Sequence, residues 1–337
     1  MNLLLIMPTR YLGNMVISMQ AIHAILSDKH FDSITLLVDE SFEALARLVF
    51  GQACDYIVYP RGALARGNVV ARLTTYSRFI RELRSVYYQC ALDIDGSVVS
   101  GRVTSFARAH RKVGPGFAKR PRAYGTLVPV MREEHHCFHD FVLMARSINV
   151  PVSSDNYLEI PRIEGAKHPV DALIRQPKIA CIHPCATKDY KQWDIRKFAS
   201  LADELAHRGW CVIIVGAGAS EMSRIETLLG AMETSPVNAH GALNLLELVY
   251  LLQRSDVFIG NDSGPMHLAA ATGIPVIALF GPTELKRWRP KAKDVHILKG
   301  PLPCAPGCQT EACLADYQCL TSLTVEQVVS ETNRLSP

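Results

Sequence analysis

The chain has 337 residues, 48% hydrophobic and 20% charged, with a formal net charge of +4. That is an ordinary globular composition with enough apolar residue for two cores, and it excludes disordered and collagen-like classes. The charge is too weak to argue for nucleic acid but suits an anionic substrate, and no apolar run reaches the ~18–20 residues of a membrane span.

Leu3–Met7 is the first strand candidate. It lacks a basic leader and a cleavage site, so it reads as a strand rather than a signal peptide, and a cytoplasmic protein with reduced cysteines is expected. The turn-rich loop Pro8–Asn14 follows. Met15, Met19, Ile22 and Leu26 then repeat on one helical face. Strand, Gly13 loop and helix make a Rossmann-like opening. The full G-x-G-x-x-G fingerprint is missing, so there is no case for a dinucleotide. Strands at Ile34–Val38, Tyr56–Tyr59 and Cys90–Asp95 alternate with helices at Ser41–Val49, Tyr76–Val86 and Val98–His110. Alternation of this kind implies a parallel, doubly wound α/β sheet with its ligand at the carboxyl ends of the strands.

Arg102, Arg108, Arg111, Lys112, Lys119, Arg120 and Arg122 form a basic cluster. It reads either as a solvated face or as a rim for an anionic acceptor, for which arginine is well suited. His135, His136, His139 and Asp140 suggest a metal at first sight, but no further ligand is identifiable and a structural role is preferred. Residues 161–169 have a linker's composition.

Lys178–His183 restarts the alternation, which points to a second Rossmann-like domain. The loop from His183 to Trp193 carries small residues, Thr187, Lys188 and Lys191. Hydroxyl and ammonium groups suit a pyrophosphate, although loops are polar by default. A helix at Ile195–Gly209 and a strand at Trp210–Val215 follow. Glu221, at the next turn, is placed to hold a ribose diol or simply to favour a helix N-terminus. Leu243–Gln253 is a helix. Residues 256–283 then read as strand, polar turn, short helix and strand, with Pro265 in the helix's first turn. Its free N–H groups make an anion site, and Asp262 could accept from sugar hydroxyls. A plain alternative has Asp262 or Ser263 as the helix N-cap. Cys304, Cys308, Cys313 and Cys319 follow the spacing C-x3-C-x4-C-x5-C. The ligand count fits a structural metal and the pair spacing does not. Leu323–Leu335 closes the chain as a helix with Thr324 as N-cap.

Asn261 to Thr283 closely resembles the signature of glycosyltransferase family 9, the heptosyltransferases of lipopolysaccharide inner-core assembly. Supporting matches are the Gly13 loop, Asp93-Ile-Asp-Gly-Ser97, Lys191-Gln-Trp193, Gly216–Glu221 and the cysteine-rich tail, which is most similar to the heptosyltransferase II branch. The resemblance implies a GT-B fold, with two Rossmann-like domains facing a cleft. Residues 1–165 would bind a lipid-linked, anionic acceptor at the inner membrane face, and 166–320 an ADP-heptose donor. Residues 321–337 would return toward the N-terminal domain. It implies inverting transfer with no cofactor or catalytic metal. Donor contacts would come from Thr187, Lys191, Glu221, Leu243, Asp262, Ser263, Gly264 and His267, and acceptor contacts from Arg10, Arg120 and Arg122. Lys191 and Asp262 would be catalytic.

The resemblance fails at one point. The family's first loop usually reads Gly-Asp, and that Asp is its general base; here it is Gly13-Asn14. A neutral amide cannot take a hydroxyl proton as a carboxylate can. Either another group is the base, or the chain is a sugar-nucleotide-binding member with reduced or no transfer. A transferase with a different donor sugar or acceptor is the remaining alternative.

Overall fold

A computed structural model of the chain describes residues 1–132, 135–153, 158–165, 168–300, 313 and 316–335. The backbone divides into two compact units, Met1–Leu158 and Glu159–Pro337.

Unit 1 runs β1 (Asn2–Met7), α1 (Leu12–Leu26), β2 (Ser33–Asp39), α2 (Glu43–Phe50), β3 (Asp55–Tyr59), α3 (Arg61–Ala65), α4 (Val69–Leu83), β4 (Tyr88–Asp93), α5 (Val98–Phe106), β5 (Ala109–Pro115), β6 (Thr126–Val128) and α6 (Cys137–Arg146). Its six parallel strands lie in the order β3-β2-β1-β4-β5-β6. Leu3 to Met7 are fully buried, because helices cover both faces of a parallel sheet and leave no polar face to alternate. The order reverses between β1 and β4, which pair from Leu3↔Cys90 to Ile6↔Asp93. That is the switch point where such sheets bind ligands.

Unit 2 repeats the plan with β7 (Lys178–His183), α7 (Ile195–His207), β8 (Trp210–Ile214), α8 (Ala219–Ala231), β9 (Val237–Asn238), α9 (Leu245–Arg254), β10 (Val257–Asn261), α10 (Gly264–Ala271), β11 (Val276–Leu279), α11 (Leu285–Trp288), β12 (Val295–Leu298), α12 (Gln318–Thr321) and α13 (Val325–Leu335). The order is β12-β11-β10-β7-β8-β9, so β7 and β10 flank its switch point. Gly260 permits this pairing: a Cβ there would come within 2.9 Å of the His183 carbonyl. Trp193, Phe198, Ile259 and Leu279 belong to one buried cluster with Val328 and Val329 of α13.

Several expectations shift. Val98–His110 does not form one helix. Ala107 turns extended (φ −59°, ψ 141°), and Ala109 pairs with Tyr88; the open edge of β4 outcompetes another helical turn. The sequence placed the domain boundary at 165, whereas the units divide at Leu158/Glu159. The segment just after the division is tied to unit 2: Ile160 N–H donates to the Ala271 carbonyl (2.8 Å), and Ile163 N–H to Gln253 Oε1 (2.9 Å). The buried valines of the last helix sit in the core of unit 2. Thr324 caps it as expected, exchanging bonds with Gln327 (2.9 and 3.3 Å). α4 starts at Val69 rather than Tyr76, because Asn68 accepts from Ala71 N–H (2.9 Å) and nucleates two further turns.

Candidate active site

In unit 2 the strand ends gather the candidate donor residues. Lys191 ends a short 3-10 turn after β7, and its Nζ lies 2.8 Å from Asp262 Oδ2. Asp262 directly follows β10 and is 7% exposed. Of the two N-cap alternatives for α10, Ser263 is the one that takes the position, without a capping side-chain bond. Its Oγ instead meets His183 Nδ1 at 3.2 Å. The first turn of α10, beginning at Gly264, therefore receives no capping bond from its N-cap side chain, and its amide dipoles suit an anion.

His183, at the end of β7, is almost fully buried and lies 3.5 Å from Glu221 Oε1. Glu221 Oε2 accepts from Ala217 N–H at 2.8 Å. Burial pushes the Glu221 carboxyl up, but the His183 contact and the Ala217 amide outweigh it and leave the pKa lowered. A Cβ at position 216 would come within 2.7 Å of that carboxylate, so Gly216 makes room for Glu221. Ser263, His183 and Glu221 thus form one polar chain across the ends of β7, β8 and β10.

The loop between Pro184 and Trp193 is held from below. Asn261, fully buried, accepts from Trp193 N–H (2.9 Å) and donates to the Pro184 carbonyl (2.8 Å). Arg224 Nε donates to the same carbonyl (3.0 Å), and its Nη2 to that of Trp193. Trp193 Nε1 donates to the Leu323 carbonyl (3.1 Å). Thr187 is exposed on this loop and shares with Cys185, Glu221 and Arg224 a cavity of about 680 Å³. Leu243 is half-buried just ahead of α9, and His267 is buried within α10.

In unit 1, Asn14 is half-buried in the first turn of α1, above the end of β1. At the same end of the sheet, Asp93 closes β4 and Asp95 follows two residues on. Asp93 is structural: Oδ1 accepts from Asp95 and Gly96 N–H (2.9 Å each), and Oδ2 from the Tyr124 hydroxyl (2.5 Å). Asp95 is different. The Thr9 and Ser97 hydroxyls bond its side chain, yet Oδ2 is buried with no hydrogen-bond partner among the described residues. Burial raises its pKa. Arg10, Arg120 and Arg122 are exposed on loops at this same end of the sheet. The rest of the basic cluster divides by position. Arg108 and Lys112 are hydrogen-bonded to the carbonyls of Arg84 (3.3 Å) and Ser105 (3.1 Å), which is a structural use.

Burial lifts Asp93 to about 6, against an ordinary aspartate near 4. A carboxyl raised in the folded state stabilises it fully below the unfolded pKa. That contribution is lost as pH climbs through the folded value. We therefore expect this group to remove about 3 kcal/mol of stability between about pH 4 and pH 7. Asp93→Asn keeps the Oδ1 acceptor and should flatten the slope; urea unfolding of both proteins across that range checks it. An unchanged slope would show that Asp93 stays ionised.

Members of the histidine cluster make structural contacts. His136 Nδ1 accepts from Phe138 N–H to cap α6 (3.1 Å), His135 and His139 rings sit 5.1 Å apart, and Arg132 pairs with Asp140 (3.4 Å). Among the described residues, no group of three or more His, Cys, Asp or Glu is placed to hold a metal. Cys304 and Cys308 lie outside the described residues. Cys319 is buried, and Cys313 Sγ accepts from Tyr317 N–H (3.4 Å).

Two doubly wound α/β units of this kind, with polar groups converging at each switch point, define the GT-B class of fold. The sequence profile of glycosyltransferase family 9 (heptosyltransferase) matches residues 76–318, and the chain belongs to that family. Lipopolysaccharide heptosyltransferase 3 of Escherichia coli K12 is 35% identical over 128 residues, 37% of each chain. Lipooligosaccharide heptosyltransferase 2 of Campylobacter jejuni is 28% identical over 213 residues, 61% of this chain and 66% of the relative. The chain thus spans less than two thirds of the length of either relative. The solved structure of E. coli ADP-heptose lps heptosyltransferase II superposes with a TM-score of 0.79, covering 99% of this chain and 98% of that one. At 19% identity, that likeness concerns the fold alone.

Proposed function

We propose that the chain transfers heptose from ADP-heptose, with inversion, to an anionic, lipid-linked sugar of the lipopolysaccharide inner core, at the cytoplasmic face of the inner membrane. The observation that carries this reading is the Lys191–Asp262 pair beside the uncapped start of α10. An ammonium and a helix N-terminus together neutralise a pyrophosphate as negative charge develops on the leaving ADP. Asp262 then turns to the sugar's hydroxyls. Thr187 and the Ser263 and Gly264 amides complete the phosphate contacts, and Glu221, kept ionised, accepts from the ribose diol. Leu243 and His267 line the donor. Asn14 orients the acceptor hydroxyl but cannot take its proton, and Asp95 supplies the missing base: its Oδ2 has no hydrogen-bond partner among the described residues, and burial raises its pKa above that of an ordinary aspartate, which makes it the stronger proton acceptor. Arg10, Arg120 and Arg122 meet the acceptor's acidic groups.

The test is ADP release on mixing protein, ADP-heptose and a lipid A–Kdo acceptor, with ADP and UDP as competing ligands. ADP is expected to bind and UDP to bind far more weakly. Failure of ADP to bind would sink the reading. Lys191→Ala should weaken ADP-sugar binding by about ten- to a hundredfold, the loss of a charge-assisted contact; calorimetry reads it, and unchanged affinity would remove Lys191 from the site.

A further inference from the structure

The first two turns of α4 have no core to face. Residues 69–74 are exposed all round the helix, and burial begins only near Tyr76 and Phe79. Yet this projecting stretch carries three large apolar side chains, Val69 (68% exposed), Val70 (71%) and Leu73 (61%). At about 100° per residue they fall within one arc of roughly 100°. Arg72 lies beside that arc and Arg66 just before the helix, both exposed. Apolar residues held in a row on an ordered, outward-pointing helix mark an interaction surface.

Its position narrows the partner. α3 and α4 leave from the carboxyl end of β3, so the start of α4 lies at the end of the unit 1 sheet that carries Asn14, Asp95 and Arg10. We infer that the start of α4 is a membrane foot: Val69, Val70 and Leu73 enter the interface of an anionic bilayer while Arg66 and Arg72 pair with its phosphate headgroups. An apolar arc edged by arginine is what an anionic lipid surface binds, through buried apolar area and charge together. Long arginine stems lie along the apolar layer with their heads in the polar zone. The foot rests on the proposed acceptor being lipid-linked, and would present the sheet end that handles that acceptor to the membrane holding it.

The experiment uses the full chain and vesicles alone, with neither donor nor acceptor, so its failure leaves heptose transfer standing. The protein should float with vesicles of phosphatidylglycerol and phosphatidylethanolamine, far less with phosphatidylcholine, and less as salt rises. V69S/V70S/L73S should lower the bound fraction at least about tenfold with circular dichroism unchanged. R66Q/R72Q should lower it too and remove most of the salt dependence. Both variants should keep transfer to a soluble, delipidated acceptor. V70W should blue-shift its fluorescence on adding anionic vesicles. Parent protein that stays unbound, or a serine triple variant that binds like the parent, would overturn the proposal. So would light scattering showing that the triple variant loses only self-association, which would assign the patch to a second copy of the chain.

Discussion

Asp262→Asn is expected to lower heptose transfer by about a thousandfold while leaving the fold intact. Asn occupies nearly the same volume, so the tight junction of β10 and α10 survives. What changes is charge. Asp262 is 7% exposed, and its ion pair with Lys191 (2.8 Å) is only partly open to solvent. The amide releases Lys191 from its fixed place above the start of α10 and removes the strong acceptor that would orient a sugar hydroxyl. Two losses then fall on one step: a misplaced cation where the leaving group gains charge, and a donor sugar less well aimed. The predicted pattern is a large fall in turnover with a smaller change in ADP affinity, the reverse of Lys191→Ala. ADP-release kinetics and calorimetry on the same preparation separate the two. Turnover like that of the parent would take Asp262 out of the chemistry.

Central strands of both units were legible because parallel strands buried on both faces are short continuous apolar runs, as Leu3–Met7 and Trp210–Ile214 are; β5, β6 and β9, which are more exposed or very short, were not. Helices with a core-facing stripe were legible as well. The first turns of α4 were not, since they have no core to face and so no periodicity to read. The expected helix to His110 failed because a free sheet edge, which is remote in sequence, decides the fate of Ala109. At the site, Lys191 and Asp262 stand in polar turns after strands and Glu221 in the first turn of the helix after β8, where function is usually sought. His183 escaped notice as the last residue of an apolar run; a polar residue followed by Pro184 at a strand's end was the signal available. The part played by Asn261 was beyond reach, because its partners Trp193 and Pro184 lie 68 and 77 residues away.

Asp95→Asn is expected to lower turnover by about a hundred- to ten-thousandfold, the usual worth of a general base, with ADP binding unchanged. The argument begins with what Asn14 cannot do. An acceptor hydroxyl attacking the anomeric carbon must give up its proton, and an amide offers no basic lone pair at neutral pH. Two carboxylates stand at the same end of the sheet, on the neighbouring strand's side of the switch point. Both oxygens of Asp93 are committed, to the Asp95 and Gly96 amides and to Tyr124. Asp95 alone retains an uncommitted oxygen, and burial raises its pKa. A base works deprotonated, so the rate should be full above that pKa. It should fall as pH drops through it, at a higher pH than an ordinary carboxylate would give. The decisive variant is the double change Asn14→Asp with Asp95→Asn, which moves the carboxylate from one strand end to the other. It should recover turnover lost in Asp95→Asn, with the fall shifted to lower pH because the half-buried position 14 is better solvated. Full activity in Asp95→Asn would clear Asp95 of the role. A large gain from Asn14→Asp alone, with Asp95 left in place, would instead show that the parent chain binds its donor without an effective base.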